Sequence, residues 1–166
     1  MAVTLEIINQ IKNDFYQGPD HETLQIEQGR ADAFWQWFRE NSSVYKPTAS
    51  KEEFLSKDYL PGQCFGNSQI LAYESGLNYM EGFAIATNRY IFHGFNLKSG
   101  EAVDVTAFNF ENDFKEHFGG LPVMYVGLEV SSDLIKQENE ESIINKSKNI
   151  GHLIYKLFSA QNNAAV

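Results

Sequence analysis

Cysteine is nearly absent from this chain: Cys64 is the only one among 166 residues. A single thiol excludes an internal disulfide and a cysteine-rich zinc site. Basic residues are also few, 13 Lys and Arg against 22 Asp and Glu, which sets the formal charge at −9. Such a surface repels phosphate backbones, so no nucleic-acid partner is expected. Hydrophobic runs are short. None approaches the ~20 apolar residues that span a bilayer, and no membrane partner is expected. The stretch Met1 to Asn13 carries Glu6 and Lys12 among its apolar residues and lacks a basic start followed by an apolar run, unlike a signal peptide. The expectation is a cytoplasmic protein whose thiol stays reduced, although export without a cleaved signal would leave the same features. No His-x-x-x-His or His-Glu-x-x-His spacing occurs, so no metal and no cofactor is expected.

What is abundant is aromatic. Thirteen Phe and eight Tyr, within 43% hydrophobic residues, argue for a packed globule, and the length suits one domain over residues 1–166. Leu5, Ile8, Ile11 and Phe15 recur at helical spacing, with Gly18-Pro19 as the stop. Arg30 to Glu40 reads as a second helix with Ala31, Phe34, Trp35 and Phe38 on its apolar face. Asn41 to Ser50 reads as a surface connection, followed by a helical turn around Glu52 to Ser56. Cys64 to Glu74 is a third helix, closed by Ser75-Gly76.

The period then changes to that of strands. Tyr79 to Ala86, Tyr90 to Asn96 and Glu101 to Thr106 form short β-branched or aromatic runs between turn signals, an antiparallel meander. Asn109 to His117 reads as helix before Gly119-Gly120, Val123 to Val130 as a strand, and the chain from Ser132 as helix, fraying from Gln161 to Val166. Helices, then strands, then helix predict an α+β domain, with the Cys64 helix packed on an antiparallel sheet.

Cys64 follows the turn Leu60-Pro61-Gly62-Gln63 and opens its helix. A helix N-terminus carries free N–H groups and about half a positive charge, which favours a thiolate. The same N–H groups can hold a developing oxyanion, with the Gln63 side chain as an added donor. The bland alternative is a cysteine that fills space. His93 and Asp104 lie on the two following strands. If Lys98-Ser99 are the central residues of a two-residue turn, the pair stands directly opposite, with Cβ atoms about 4.5–5.5 Å apart. A three-residue loop with a bulge at Gly100 would put them on opposite faces. Aspartate is depleted within strands, so Asp104 between Val103 and Val105 asks for a reason; an exposed His–Asp pair is the alternative. Gly94 beside His93 leaves room for close approach of another backbone or a substrate, or marks a bend. His21 reads as solvated, His117 as favouring its helix dipole, and His152 as surface or core filling within the last helix.

The runs Gly62-Gln-Cys-Phe-Gly-Asn-Ser68, Tyr79-Met-Glu-Gly-Phe-Ala84, His93-Gly-Phe-Asn96 and Ala102-Val-Asp-Val-Thr106 resemble the transglutaminase-like branch of the papain-like superfamily. The likeness covers about residues 60–108. It implies Cys64 as nucleophile, His93 as base and acid and Asp104 as orienting carboxylate, with Gln63, Asn67 and Asn96 as oxyanion or substrate-binding positions. His93-Gly-Phe stands where His-Ala-Trp is commoner, and Val105 where proline is usual, departures that bear on substrate type. The expected activity is thiol-dependent acyl transfer on an amide of a peptide, protein or small molecule, hydrolysis or deamidation rather than cross-linking. The rivals are a non-catalytic interaction domain retaining the fold, and a metal-dependent enzyme using His93 and Asp104.

Overall fold

The computed structural model describes residues 2–15, 30–87 and 89–163. Gly18-Pro19, His21 and residues 164–166 of the end expected to fray from Gln161 to Val166 lie outside them, while Gln161–Asn163 remain helical. The described helices are α1 (Ala2–Phe15), α2 (Ala31–Asn41), α3 (Cys64–Ser75), α4 (Val105–Asn109), α5 (Glu111–Phe118), α6 (Ser132–Ile144) and α7 (Ile154–Asn163), with a 3₁₀ turn at Glu52–Phe54. The strands are β1 (Ser43–Tyr45), β2 (Asn78–Ala86), β3 (Arg89–Lys98), β4 (Glu101–Val103) and β5 (Met124–Val130). They form one antiparallel sheet in the order β1-β5-β2-β3-β4. The architecture is α+β.

Strand alternation sorts the sheet into two faces. Tyr79, Phe83, Phe92, Val126, Leu128 and Val130 pack against apolar residues of α1, α2, α6 and α7, with Phe65, Ile70 and Ala72 of α3 joining them. Aromatic rings dominate this layer: Trp35 stacks on Phe83 at 5.9 Å, and Phe34 meets Phe158 edge-on at 5.5 Å. Met80, Ala84, Phe95, Ala102 and Tyr125 form a smaller cluster, and they share the face of His93. The helical spacing of α1 and α2 therefore buries the residues it predicts, Ile8, Ile11, Ala31, Phe34, Trp35 and Phe38.

Four sequence expectations change. The expected connection over residues 41–50 contributes β1, an edge strand paired with β5 through Val44 and Val126; three residues carry too little periodicity to declare a strand. The strand expected over Glu101–Thr106 stops at Val103, and Val105–Asn109 is helical because the Asp104 side chain accepts from the Ala107 N–H at 3.0 Å and caps it. The turn between β3 and β4 is Ser99-Gly100, both left-handed at φ 53 and 79, one step beyond the expected Lys98-Ser99. Finally, the C-terminal helix is broken between Ile144 and Ile154, where Lys146 and Asn149 take positive φ, so His152 lies in the connection and not in a helix.

That break creates a helix N-terminus, and Glu81 of β2 occupies it. The carboxylate is fully buried and accepts from Leu153 N, Ile154 N and the Tyr79 hydroxyl, each at 2.6 Å. Burial pushes its pKa from 4.5 up to about 7, against the pull of Tyr79 and the two backbone donors. The folded carboxyl thus keeps its proton to about pH 7, whereas an unfolded one releases it near 4.3. The native state holds the extra proton in that window, so this group's contribution to stability falls as pH rises through it and levels off above. Denaturant unfolding should show that Glu81→Gln, despite an overall loss of stability, removes a decline of up to about 3 kcal/mol between pH 4.5 and 8 that the wild type retains.

Close approach of β2 and β5 depends on Gly82. A Cβ built there would lie 2.0 Å from the Val126 carbonyl oxygen, a backbone atom that cannot swing aside. Gly82→Ala is expected to cost about 3 kcal/mol or more, read as a drop in thermal midpoint or loss of soluble protein.

Candidate active site

His93 points from the sheet face opposite α3, yet it meets the first residue of that helix. The reason lies in the ladder. β4 pairs with β3 only over Asn96–Lys98, which leaves the outer edge of β3 unpaired alongside His93. The first turn of α3 fills that edge: a Cβ on Gly94 would sit 3.1 Å from Phe65 Cα and 3.2 Å from the Cys64 carbonyl oxygen. Gly94 therefore permits the close backbone approach. Cys64 is half-buried at the end of the helix, and it borders a cavity shared with His93.

His93 is buried and its Nε2 donates to Asp104 Oδ2 at 2.8 Å. With Nε2 so engaged, Nδ1 is the ring nitrogen left for Cys64, whose sulfur lies close enough to act on the ring electrostatically. Burial by itself lowers the imidazole pKa, but the Asp104 carboxylate, the Cys64 sulfur and the Asp104 hydrogen bond outweigh it and hold it well above 6.5. The arrangement favours the charged imidazolium. Asp104 has no exposed surface. It also accepts from the Tyr125 hydroxyl at 2.8 Å and from Ala107 N at 3.0 Å. Burial, then Asp104, pushes the Tyr125 pKa well above 10, so this phenol stays a donor. Phe114 of α5 meets the His93 ring edge-on at 5.9 Å.

His93 and Asp104 do not face each other across the ladder as expected. The observed turn shifts the register so that Asn96 opposes Val103, and Asp104 lies just past the ladder. The shift preserves the face, because it moves the pairing by two residues in all.

Among the described residues, no side chain caps α3 at Gln63, and the first helical bond runs from Asn67 N to the Gln63 carbonyl at 2.8 Å. The N–H groups of Cys64, Phe65 and Gly66 are thus outside the helical ladder. The Gln63 side chain turns to Asn149, donating to its Oδ1 at 3.3 Å and accepting from its N–H at 2.7 Å. Asn67 is buried and fully used: it donates to the Leu60 carbonyl and Thr106 Oγ1 and accepts from Leu60 N. Asn96 is buried and donates to the Ser68 carbonyl at 2.9 Å. The structure thus brings together Cys64, His93 and Asp104, whereas the side chains of Gln63, Asn67 and Asn96 brace the loop before Cys64 and the seat of α3. Tyr125 and Phe114 escaped the sequence reading. Tyr125 sits in an apolar strand with no local polar pattern, so only its distance from Asp104 marks it.

Fold and site together define an α+β protein with a buried His–Asp pair beside a cysteine that opens a helix. Searched against known proteins, the chain matches no family model, no curated protein and no solved structure. Among the described residues no helix is long and apolar enough to cross a membrane, and no three His, Cys, Asp or Glu side chains converge in a metal-binding cluster.

Asp104→Asn removes the charge that holds the imidazole protonated. NMR titration of His93 should then show its pKa falling towards or below 6.5, because burial remains as the opposing influence.

Proposed function

We propose that this protein is a thiol-dependent acyl-transfer enzyme of the transglutaminase-like, papain-like kind, hydrolysing or deamidating an amide through a thioester. The observation that carries the reading is that Cys64 and His93 line one cavity while the His93 ring is bonded to the buried Asp104 carboxylate. A surface His–Asp pair would leave both groups solvated, and a space-filling cysteine would not border a cavity with a histidine. Cys64 attacks the carbonyl carbon, and the first-turn N–H groups of α3 are placed to meet negative charge on its oxygen. His93 gives its proton to the departing amine, then takes one from the water that opens the thioester. Asp104 fixes the ring and stabilises its charged form, with Tyr125 steadying the carboxylate. The substrate is a peptide, a protein or a small amide.

Iodoacetamide alkylation tests the pair directly. At pH 6.5 Cys64 should react at least about tenfold faster in wild type than in His93→Ala, since only the wild type has an imidazole beside the sulfur to take its proton. Equal and slow rates would make Cys64 structural and favour the interaction-domain reading.

A further inference from the structure

The cavity beside the thiol is about 330 Å³, near the lower end of small-molecule sites and suited to one side chain rather than an extended ligand. Its walls come from Ile91 of β3 and from Phe110, Phe114 and Phe118, around α5. Phe114 and Phe118 pack at 5.3 Å, continuing the aromatic surface that begins against His93. Apart from Cys64 and His93, the polar side chains of the lining are Thr106, Asp113 and His117. The Thr106 hydroxyl already accepts from Asn67 at 2.9 Å, while Asp113 and His117 stand on an exposed stretch of α5, where His117 Nδ1 is engaged with the Asp113 carbonyl at 2.9 Å. A glutamine or charged side chain placed among these rings would lose its water there, because Asp113 and His117 stand on the exposed side of α5 and not among the rings.

We propose that this cavity is the acyl-side pocket and that the enzyme's substrates carry a bulky apolar group, benzyl or branched alkyl, on the acyl half of the bond that Cys64 attacks. The inference rests on the acyl-transfer reading and separates its two branches: it favours hydrolysis after an apolar residue over deamidation of glutamine. In the step itself a Cys64 Sγ–C bond forms while the bond from the carbonyl carbon to its leaving group breaks. The leaving group departs with that electron pair and, where it is an amine, takes the His93 proton. Water then adds to the thioester, His93 accepts its proton, and C–S cleavage returns the thiol and a carboxylic acid.

The test uses p-nitrophenyl 3-phenylpropanoate and p-nitrophenyl acetate, each rate divided by that of a free thiol with the same ester. The Cys64-dependent acylation burst should favour the phenylpropanoate by about 30-fold, the scale of discrimination an apolar pocket provides. Phe118→Asp, which places a charge in the wall, should reduce that ratio to about 3 or less; because the ratio is taken within one variant, a general loss of activity cancels. A ratio near one in a wild type that does acylate would overturn the pocket and leave the acyl-transfer reading standing. If neither ester gives a burst, the acyl-transfer reading falls and the proposal with it. Binding of 3-phenylpropanamide to Cys64→Ala, followed by NMR at the Ile91 methyls, judges the cavity without chemistry. Saturable shifts with this amide and none with glutaramide support an apolar pocket, and no shifts with either overturn it.

Discussion

A fully buried carboxylate, Asp104, organises the region around the candidate site. An anion removed from water costs several kcal/mol unless every lone pair is met, and here three donors from three elements meet it. His93 comes from β3, Tyr125 from β5 and the Ala107 N–H from α4. The same residue ends β4 and caps α4, so the chain's turn from strand to helix and the orientation of the imidazole have one cause. That turn leads directly into α5, which lays Phe114 against His93 and builds the wall of the cavity.

The other face of the sheet repeats the device. Glu81 is buried among donors and caps α7, as Asp104 caps α4. Its hydroxyl partner Tyr79 also accepts from Gln69, whose amide in turn donates to the Gly151 carbonyl. Thus α3, β2 and the connection before α7 are tied through one polar network. The two carboxylates differ in chemistry. Glu81 has backbone N–H groups and a phenol as partners and is pushed towards neutrality by burial, whereas Asp104 faces an imidazole that can carry the compensating charge.

Glycine makes room for this arrangement. In the row of the sheet that carries His93, the positions across are Gly82 and then Gly127. With no side chains there, aromatic rings from neighbouring rows close over the sheet: a Cβ on Gly127 would lie 3.1 Å from the Phe95 ring, and Phe95 packs on Tyr125 at 5.0 Å. Gly94 does the equivalent on the opposite face for the first turn of α3. The polar side chains of Asn67, Ser68 and Asn96 then bind that turn to the loop before it and to β3.

Sequence alone determined the α+β order, most of the helices and long strands, and the candidate trio Cys64, His93 and Asp104, because those signals are local: apolar period, turn residues, and a thiol placed after Pro61-Gly62. It also pointed to Asp104 as anomalous in a strand, although the resolution of that anomaly is a helix cap just beyond the ladder. Tertiary structure alone decided that β1 pairs at the edge, that α6 and α7 are separate, that Gln63, Asn67 and Asn96 serve as braces, and that Tyr125, Phe114 and Glu81 matter. Each of those depends on partners distant in the chain. Tyr125 lies 21 residues from Asp104, and Glu81 lies 72 from Leu153. A side chain's role in such contacts is set by what folding brings beside it, and neither periodicity nor local propensity carries that information.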